Sequence, residues 1–244
     1  MMLNNVCVAH RGWSGQAPEN TLAAIKMAAN HPDIAMLEID VQLSRDGIPV
    51  IIHDYTLERT TNGAGKVGDF TLKELKELDA GSWFSTAAAG EAIPTLEEVL
   101  QETRGKVKLN LEIKRGGDWY PGIEKKVADL VRQYAMESDV IMTSFNHETI
   151  HTLSKVAPSI KTGLIIYGYP ALIEELLAYT GASILSMGYQ YITDNLVQSC
   201  LNHGVDLIAW TIDQPEDMQQ IARMGERIAI CTNYPERWFS AREI

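Results

Sequence analysis

The sequence predicts a (β/α)8 TIM barrel with a small insertion after the second strand. Three observations carry this. Eight short apolar runs recur along the 244 residues, segments of helical period separate them, and no long linker interrupts the alternation. One closed barrel of this kind typically needs about 250 residues. A doubly wound sheet is the alternative, but eight repeating units without a linker fit closure better. The whole chain, 1–244, therefore reads as a single domain.

The apolar runs are Val6–Ala9, Met36–Val41, Val107–Ile113, Val140–Thr143, Thr162–Ile166, Ser183–Met187, Asp206–Ile212 and Arg227–Cys231. Between them, Ile123, Val127, Leu130, Val131 and Tyr134 form one helical stripe, and Leu196, Val197, Cys200 and Leu201 another. Helix starts are marked by Asn20, by Thr95 with Glu98 three residues on, and by Pro215 and Pro235 at first-turn positions. After the second run, Asp46-Gly47 between apolar segments signals a two-residue hairpin. The stretch from about 54 to 93 then breaks the rhythm, with a turn at 62–65 and a short helix capped by Thr71 and Glu74. Insertions at the C-terminal ends of barrel strands sit over the active site, so this one is a candidate substrate cover.

Composition narrows the partners. Lys and Arg number 21 against 32 Asp and Glu, a net charge of −11 with a pI near 5.0. Such a surface suits neither nucleic acid nor an anionic membrane, because binding polyanions needs positive potential. Cys7, Cys200 and Cys231 are an odd, widely spaced set without C-x-x-C, which reads as reduced, buried thiols. The longest uncharged run, 176–193, is broken by Gly181, Ser183, Ser186, Gly188 and Gln190 and is too polar to span a bilayer. With no secretory pattern at the N-terminus, a cytoplasmic protein without stable membrane association is expected. The sequence is silent on oligomeric state.

The chemistry gathers at strand ends. Glu38 and Asp40, two apart on a strand, share a face. With a two-residue turn at Asp46-Gly47, opposed positions sum to 93, which sets His53 directly across from Asp40. Glu112 and Lys114 share a face of the third strand, and the first strand ends in His10-Arg11-Gly12. Strand ends of one parallel barrel converge, so these residues can meet although about 100 positions separate them. Glu38, Asp40 and Glu112 make a hard oxygen site suited to one divalent cation, Mg²⁺ or Ca²⁺. His10 and His53 supply an acid and a base near neutral pH, while Arg11 and Lys114 offer charge-assisted hydrogen bonds to an anion such as phosphate. That set suits phosphoryl transfer or phosphodiester hydrolysis.

The motifs carry a resemblance. His10-Arg11-Gly12, Pro18-Glu19-Asn20-Thr21, Glu38-x-Asp40, Asp46-Gly47, His53-Asp54 and Arg59-Thr60-Thr61 resemble the glycerophosphodiester phosphodiesterase family. The likeness continues through Gly81-Ser82-Trp83-Phe84, Ile93-Pro94-Thr95-Leu96, Glu112-Ile113-Lys114 and Trp210-Thr211-Ile212, over nearly the whole chain. It implies a barrel enzyme that hydrolyses glycerophosphodiesters to sn-glycerol 3-phosphate and an alcohol. It also implies His10 and His53 as the acid–base pair, Glu38, Asp40 and Glu112 on a metal, Arg11 and Lys114 at the phosphate, and Trp210 near the glycerol. Two features depart from the family pattern: Asn233 stands where Asp is also common, and Gly225-Glu226-Arg227-Ile228 replaces a small, Gly- and Asp-containing lead-in. Both are expected to lie away from the histidines and the metal.

The plainer readings stand beside these. His31, His147, His151 and His203 lack acidic or motif context and read as surface or helix-end residues. Asn20 reads as a helix cap, Glu19 as an orienter of His10 or Arg11, and Asp54 as a turn residue or an orienter of a histidine. A cyclising lyase on lipid phosphodiesters would want an exposed apolar lip, for which Trp83 and Phe84 are candidates. A catalytically dead binding protein would have lost a histidine or carboxylate, and all five are present.

Overall fold

The computed structural model describes residues 4–242. Strands β1 (Cys7–His10), β2 (Met36–Leu43), β3 (Pro49–Ile51), β4 (Lys108–Ile113), β5 (Val140–Ser144), β6 (Lys161–Ile166), β7 (Ile184–Gly188), β8 (Asp206–Trp210) and β9 (Ile228–Thr232) follow in chain order. All but β3 are parallel, and pairing of β1 with both β2 and β9 closes them into an eight-stranded barrel. The helices are α1 (Leu22–Ala29), α2 (Leu72–Lys76), α3 (Leu96–Thr103), α4 (Ile123–Gln133), α5 (His147–Val156), α6 (Ile173–Thr180), α7 (Asp194–Asn202), α8 (Pro215–Met224) and α9 (Pro235–Ala241). Each apolar run of the sequence is a barrel strand, shifted by a residue or two at its ends. The run predicted to reach Ile212 stops at Trp210, where β8 leaves its ladder with β7.

Alternation along the strands decides where the chemistry lies. Cys7 and Ala9 of β1, and Leu37, Ile39 and Val41 of β2, pack outward into the main core beneath the helices. Val8 points inward and meets Ile184, Ile208 and Cys231 in a separate apolar plug. The same parity sends His10, Glu38 and Asp40 inward one step higher, so the barrel is a cup with an apolar floor and a polar mouth. The three cysteines are buried free thiols, as expected.

Local signals are largely obeyed. Thr71 with Glu74 and Thr95 with Glu98 form reciprocal capping boxes, and Pro215 and Pro235 occupy first-turn positions. Asn20 is the exception: the N-cap of α1 is Thr21, whose side chain accepts from the Ala24 amide, while Asn20 turns away with φ 58°. Gly12, in the loop between β1 and α1, has to be a glycine. At φ 79° it passes so close to α1 that a Cβ would lie 2.8 Å from the Ala24 carbonyl carbon.

The hairpin register also differs from expectation. Val41 pairs with Ile51, Gln42 with Val50 and Leu43 with Pro49, one residue short of the two-residue-turn register. Ser44 closes the loop, its amide donating to the Ile48 carbonyl at 3.0 Å, and Gly47 adopts φ 77°. This is a three-residue loop ending in a left-handed residue. Asp46 is pulled away from a two-residue turn because its carboxylate accepts from the Ser44 hydroxyl at 2.6 Å and the Leu72 amide at 2.9 Å.

A one-residue slip ordinarily flips every side chain to the other face. His53 escapes because β3 ends at Ile51 and the chain bends. Buried Gln42 holds the bend, its Nε2 lying 2.7–3.0 Å from the carbonyls of Ile52, His53 and Asp54 while its Oε1 accepts from the Tyr120 hydroxyl. Between β3 and α3, Leu57, Val67, Leu75, Ala80 and Ile93 join Val50 and Ile52 in a small core of the insertion's own. Trp83 and Phe84 lie half-exposed, edge to face against each other at 5.7 Å. Replacing Gln42 by Leu strips donors from buried carbonyls, so Gln42→Leu is expected to lower stability by about 2 kcal/mol in urea unfolding. An unchanged midpoint would show that these bonds do not hold the bend.

Candidate active site

Barrel register brings the predicted residues together. His10 lies beside Glu38 and Asp40 beside Glu112 in adjacent ladders. One oxygen from each of Glu38, Asp40 and Glu112 falls within 4.8 Å of the others, and all three residues are buried. Lys114, also buried, has its Nζ against the Glu112 carboxylate and 3.0 Å from Asp40 Oδ1. Arg11, turned by its φ of 55°, places Nε 3.5 Å from Asp40 Oδ2 and donates its backbone amide to Glu38 Oε2 at 3.1 Å.

Three buried carboxylates thus face two cations. Burial and its acidic neighbours Asp40 and Glu112 push the Glu38 pKa well up. Burial, with Asp40 beside it, also raises Glu112 despite Lys114. For Asp40 burial works in the same direction but is outweighed by Lys114, Arg11 and His53 and by a hydrogen bond from Asn20, so it stays ionised. Asn20 Nδ2 donates to Asp40 Oδ2 at 2.7 Å, which is where the residue expected to cap a helix actually goes. Glu38 Oε1 is buried without any hydrogen-bond partner. An unpartnered buried carboxylate oxygen is costly, and it would complete the donor set of a hard divalent cation. The residues fit such an ion.

Two imidazoles flank the acids. His10 Nε2 lies 3.8 Å from Glu38 Oε2, and its Nδ1 lies 2.7 Å from Asn233 Oδ1. Asn233 Nδ2 donates to Asp213 Oδ2 at 2.8 Å, which orients the amide and assigns the His10 proton to Nδ1. Burial, helped by Arg11, lowers the His10 pKa to about 4. The departure at Asn233, expected to lie away from the histidines, therefore sits directly behind one of them. A neutral amide there gives the imidazolium less support than a carboxylate would.

His53 is backed differently. Its Nδ1 lies 2.6 Å from Asp54 Oδ1, and Asp54 is held ionised by Arg59. Arg59 donates Nε to Asp54 Oδ2 at 2.6 Å and two further N–H groups to the two oxygens of Glu19 at 2.8 and 2.7 Å. Glu19 in turn accepts from Arg11 at 2.8 Å. One guanidinium from the insertion thereby ties the support of His53 to the support of Arg11. Arg59, Asn20, Asn233 and Gln42 have no chemistry legible in isolation; each became visible only through its partner.

Trp210 lines the central cavity of about 120 Å³ together with His10, Arg11, Glu38, His53 and Glu112. Its ring meets Phe145 at 5.8 Å and Tyr167 at 6.0 Å, and its buried Nε1 has no partner. All eight predicted site residues converge, since Lys114 joins through the Asp40 and Glu112 contacts. His31, His147, His151 and His203 do not line this cavity. Nor do Trp83 and Phe84. No helix among the described residues is long and apolar enough to cross a membrane.

Comparison with known proteins agrees with this geometry. The model of the glycerophosphoryl diester phosphodiesterase family matches residues 10–237. A glycerophosphodiester phosphodiesterase of Caldanaerobacter subterraneus is 43% identical over 237 residues, covering 96% of each chain. Among solved structures, an Oleispira antarctica phosphodiesterase in complex with the product sn-glycerol-3-phosphate aligns with a TM-score of 0.87 and 32% identity, over 99% of this chain and 98% of that one. A glycerophosphodiester phosphodiesterase from Agrobacterium tumefaciens aligns with a TM-score of 0.84 and 30% identity, over 97% and 99%. With a whole-length family match laid over a closed barrel whose polar mouth holds these acids and histidines, the chain belongs to the glycerophosphoryl diester phosphodiesterase family and is a phosphodiesterase.

Proposed function

We propose that this enzyme hydrolyses glycerophosphodiesters to sn-glycerol 3-phosphate and an alcohol, using His10 and His53 as its acid–base pair beside a divalent cation, Mg²⁺ or Ca²⁺. The single observation that carries the reading is the buried Glu38, Asp40, Glu112 group, with one Glu38 oxygen left unpartnered, at a cavity that both imidazoles line. The product held by the Oleispira relative names the same half of the substrate.

Glu38, Asp40 and Glu112 are the residues that would hold the ion. When bound, it supplies Lewis-acid neutralisation of charge on the phosphate. Arg11 and Lys114 neutralise the remaining anionic oxygens through charge-assisted hydrogen bonds. Trp210, which lines the cavity, offers its ring to the glycerol. With Nδ1 of each imidazole engaged by Asn233 or Asp54, both histidines keep Nε2 for proton transfer. The two supports divide the labour. Neutral Asn233 accepts the Nδ1 proton and leaves His10 uncharged with Nε2 bare, so Nε2 accepts the proton of the attacking oxygen. The Asp54 carboxylate stabilises a charged His53, which delivers a proton to the leaving alkoxide. Burial, then Lys114 and Arg11, lowers the His53 pKa in the free enzyme, and the bound phosphate's negative charge offsets those two cations.

Release of glycerol 3-phosphate from glycerophosphocholine should fall by about 10²–10⁴-fold in His10→Ala and in His53→Ala. It should be abolished by excess chelator and restored by Mg²⁺ or Ca²⁺. Turnover surviving both treatments would sink the mechanism.

The ionic clamp gives a separate expectation. In Arg59→Met, Asp54 loses its strongest partner, so kcat should drop about tenfold or more while substrate KM changes less, and Arg59→Lys should recover only part of it. A KM effect alone would argue against positioning. The sign for pH follows from Asp54, whose folded pKa, lowered first by Arg59 and then by His53, lies near 2. Its contribution is complete above its unfolded value of about 4 and is lost as pH falls toward 2. Urea midpoints of wild type and Asp54→Asn should therefore converge over that range and differ above it.

A further inference from the structure

The cleft continues past the histidines. From His53 it runs over Lys114, Arg115 and Asn146 as an open trough of about 550 Å³, with Tyr55 on its wall. Tyr55 also lines a second cavity of about 370 Å³, set between the β2–β3 loop, the insertion and the segment leading into α4. Its charged lining is Arg45, Lys66 and Lys126 against Asp69 alone, a local reversal in a chain of net charge −11. Arg45 is engaged by Glu74 at 3.1 Å. Lys66 and Lys126 have no carboxylate partner among the described residues. Lys66 Nζ instead sits 5.3 Å over the Trp119 ring, and Lys126 Nζ is pressed against the loop at Gly47. Trp119 meets Tyr55 edge to face at 4.9 Å, giving the cavity an aromatic wall toward the catalytic centre.

We propose that this groove binds the alcohol half of the substrate and selects glycerophosphodiesters whose alcohol carries a second anionic group, a phosphate or a carboxylate. The inference rests on the reading of the central site given above. With Trp210 taking the glycerol and His53 protonating the leaving oxygen, the alcohol departs on the His53 side, where the trough begins. Tyr55 lines the trough together with Glu112 and Lys114 and lines the second cavity as well, which sets the groove one ring beyond the reacting phosphate. An alcohol must therefore be long enough to pass Tyr55 before its charge meets Lys66 and Lys126. A neutral or quaternary-ammonium alcohol gains nothing from two lysines, whereas an anion gains two charge-assisted contacts.

The test compares kcat/KM for glycerophosphocholine with kcat/KM for two glycerophosphodiesters of matched length, one with a phosphorylated and one with a carboxylated alcohol. In Lys66→Ala/Lys126→Ala the anionic-to-choline ratio should fall by about tenfold, the sum of two exposed ionic contacts. In Lys126→Glu it should fall further, and in wild type it should shrink as salt is raised. A response to either anion supports the groove; the phosphate and carboxylate arms tell which group it reads. A ratio unchanged by both variants at low salt overturns the proposal. Failure of all three compounds to turn over with any divalent cation would instead remove the phosphodiesterase reading on which it stands.

Discussion

Placing three carboxylates side by side at the inner ends of β2 and β4 is the constraint around which the rest of this molecule is arranged. Removing such charges from water costs several kcal/mol per ion, and their mutual repulsion adds to it. Arg11, Lys114 and Asn20 each spend their polar groups on Asp40, yet Glu38 keeps an oxygen with no partner. An apolar set of similar volume would pack this position with less strain on the fold. A structure that retains such a cluster, and surrounds it with two imidazoles, is shaped by chemistry at the mouth of the cup rather than by stability.

The insertion is joined to that cluster by charge as much as by packing. Its residues 57–93 form a small core distinct from the barrel's main core, and the Glu19–Arg59–Asp54 clamp spans the gap between them. A partly exposed clamp of this kind gives direction more than energy. Its role is to fix where His53 points. Gln42 does the same from beneath by holding the carbonyls of the bend. Two polar devices with modest individual worth thus replace the β-ladder that ends at Ile51.

What was legible in the sequence follows from which forces are local. Strand order, the inward parity of Glu38 and Asp40, the capping boxes and the proline starts all depend on near neighbours, and they appear in the fold as read. The hairpin register departs from the one its Asp-Gly turn predicts because Asp46 is also held by Leu72, 26 positions away. Asn20 looked like a cap because Asn is a good one, but Thr21 beside it was free to cap, and Asp40 offered Asn20 a stronger, charged acceptor. Asn233 was set aside as remote, although closure of β9 against β1 brings it to His10. In each miss a long-range partner, invisible to spacing, outbid the local rule.

The charge balance shows the same separation of scales. A net charge of −11 describes the far field, and at physiological salt that field decays within about 8 Å of the surface. An anionic substrate crossing it meets a centre where Arg11 and Lys114 already sit among buried acids. Uncompensated, three carboxylates against two cations would repel a phosphodiester; a divalent cation at Glu38, Asp40 and Glu112 would reverse the sign of the pocket. With such an ion bound, the acids that make the site look hostile to phosphate would be the reason it takes one. Affinity for substrate and affinity for such an ion would then be the same property of three side chains.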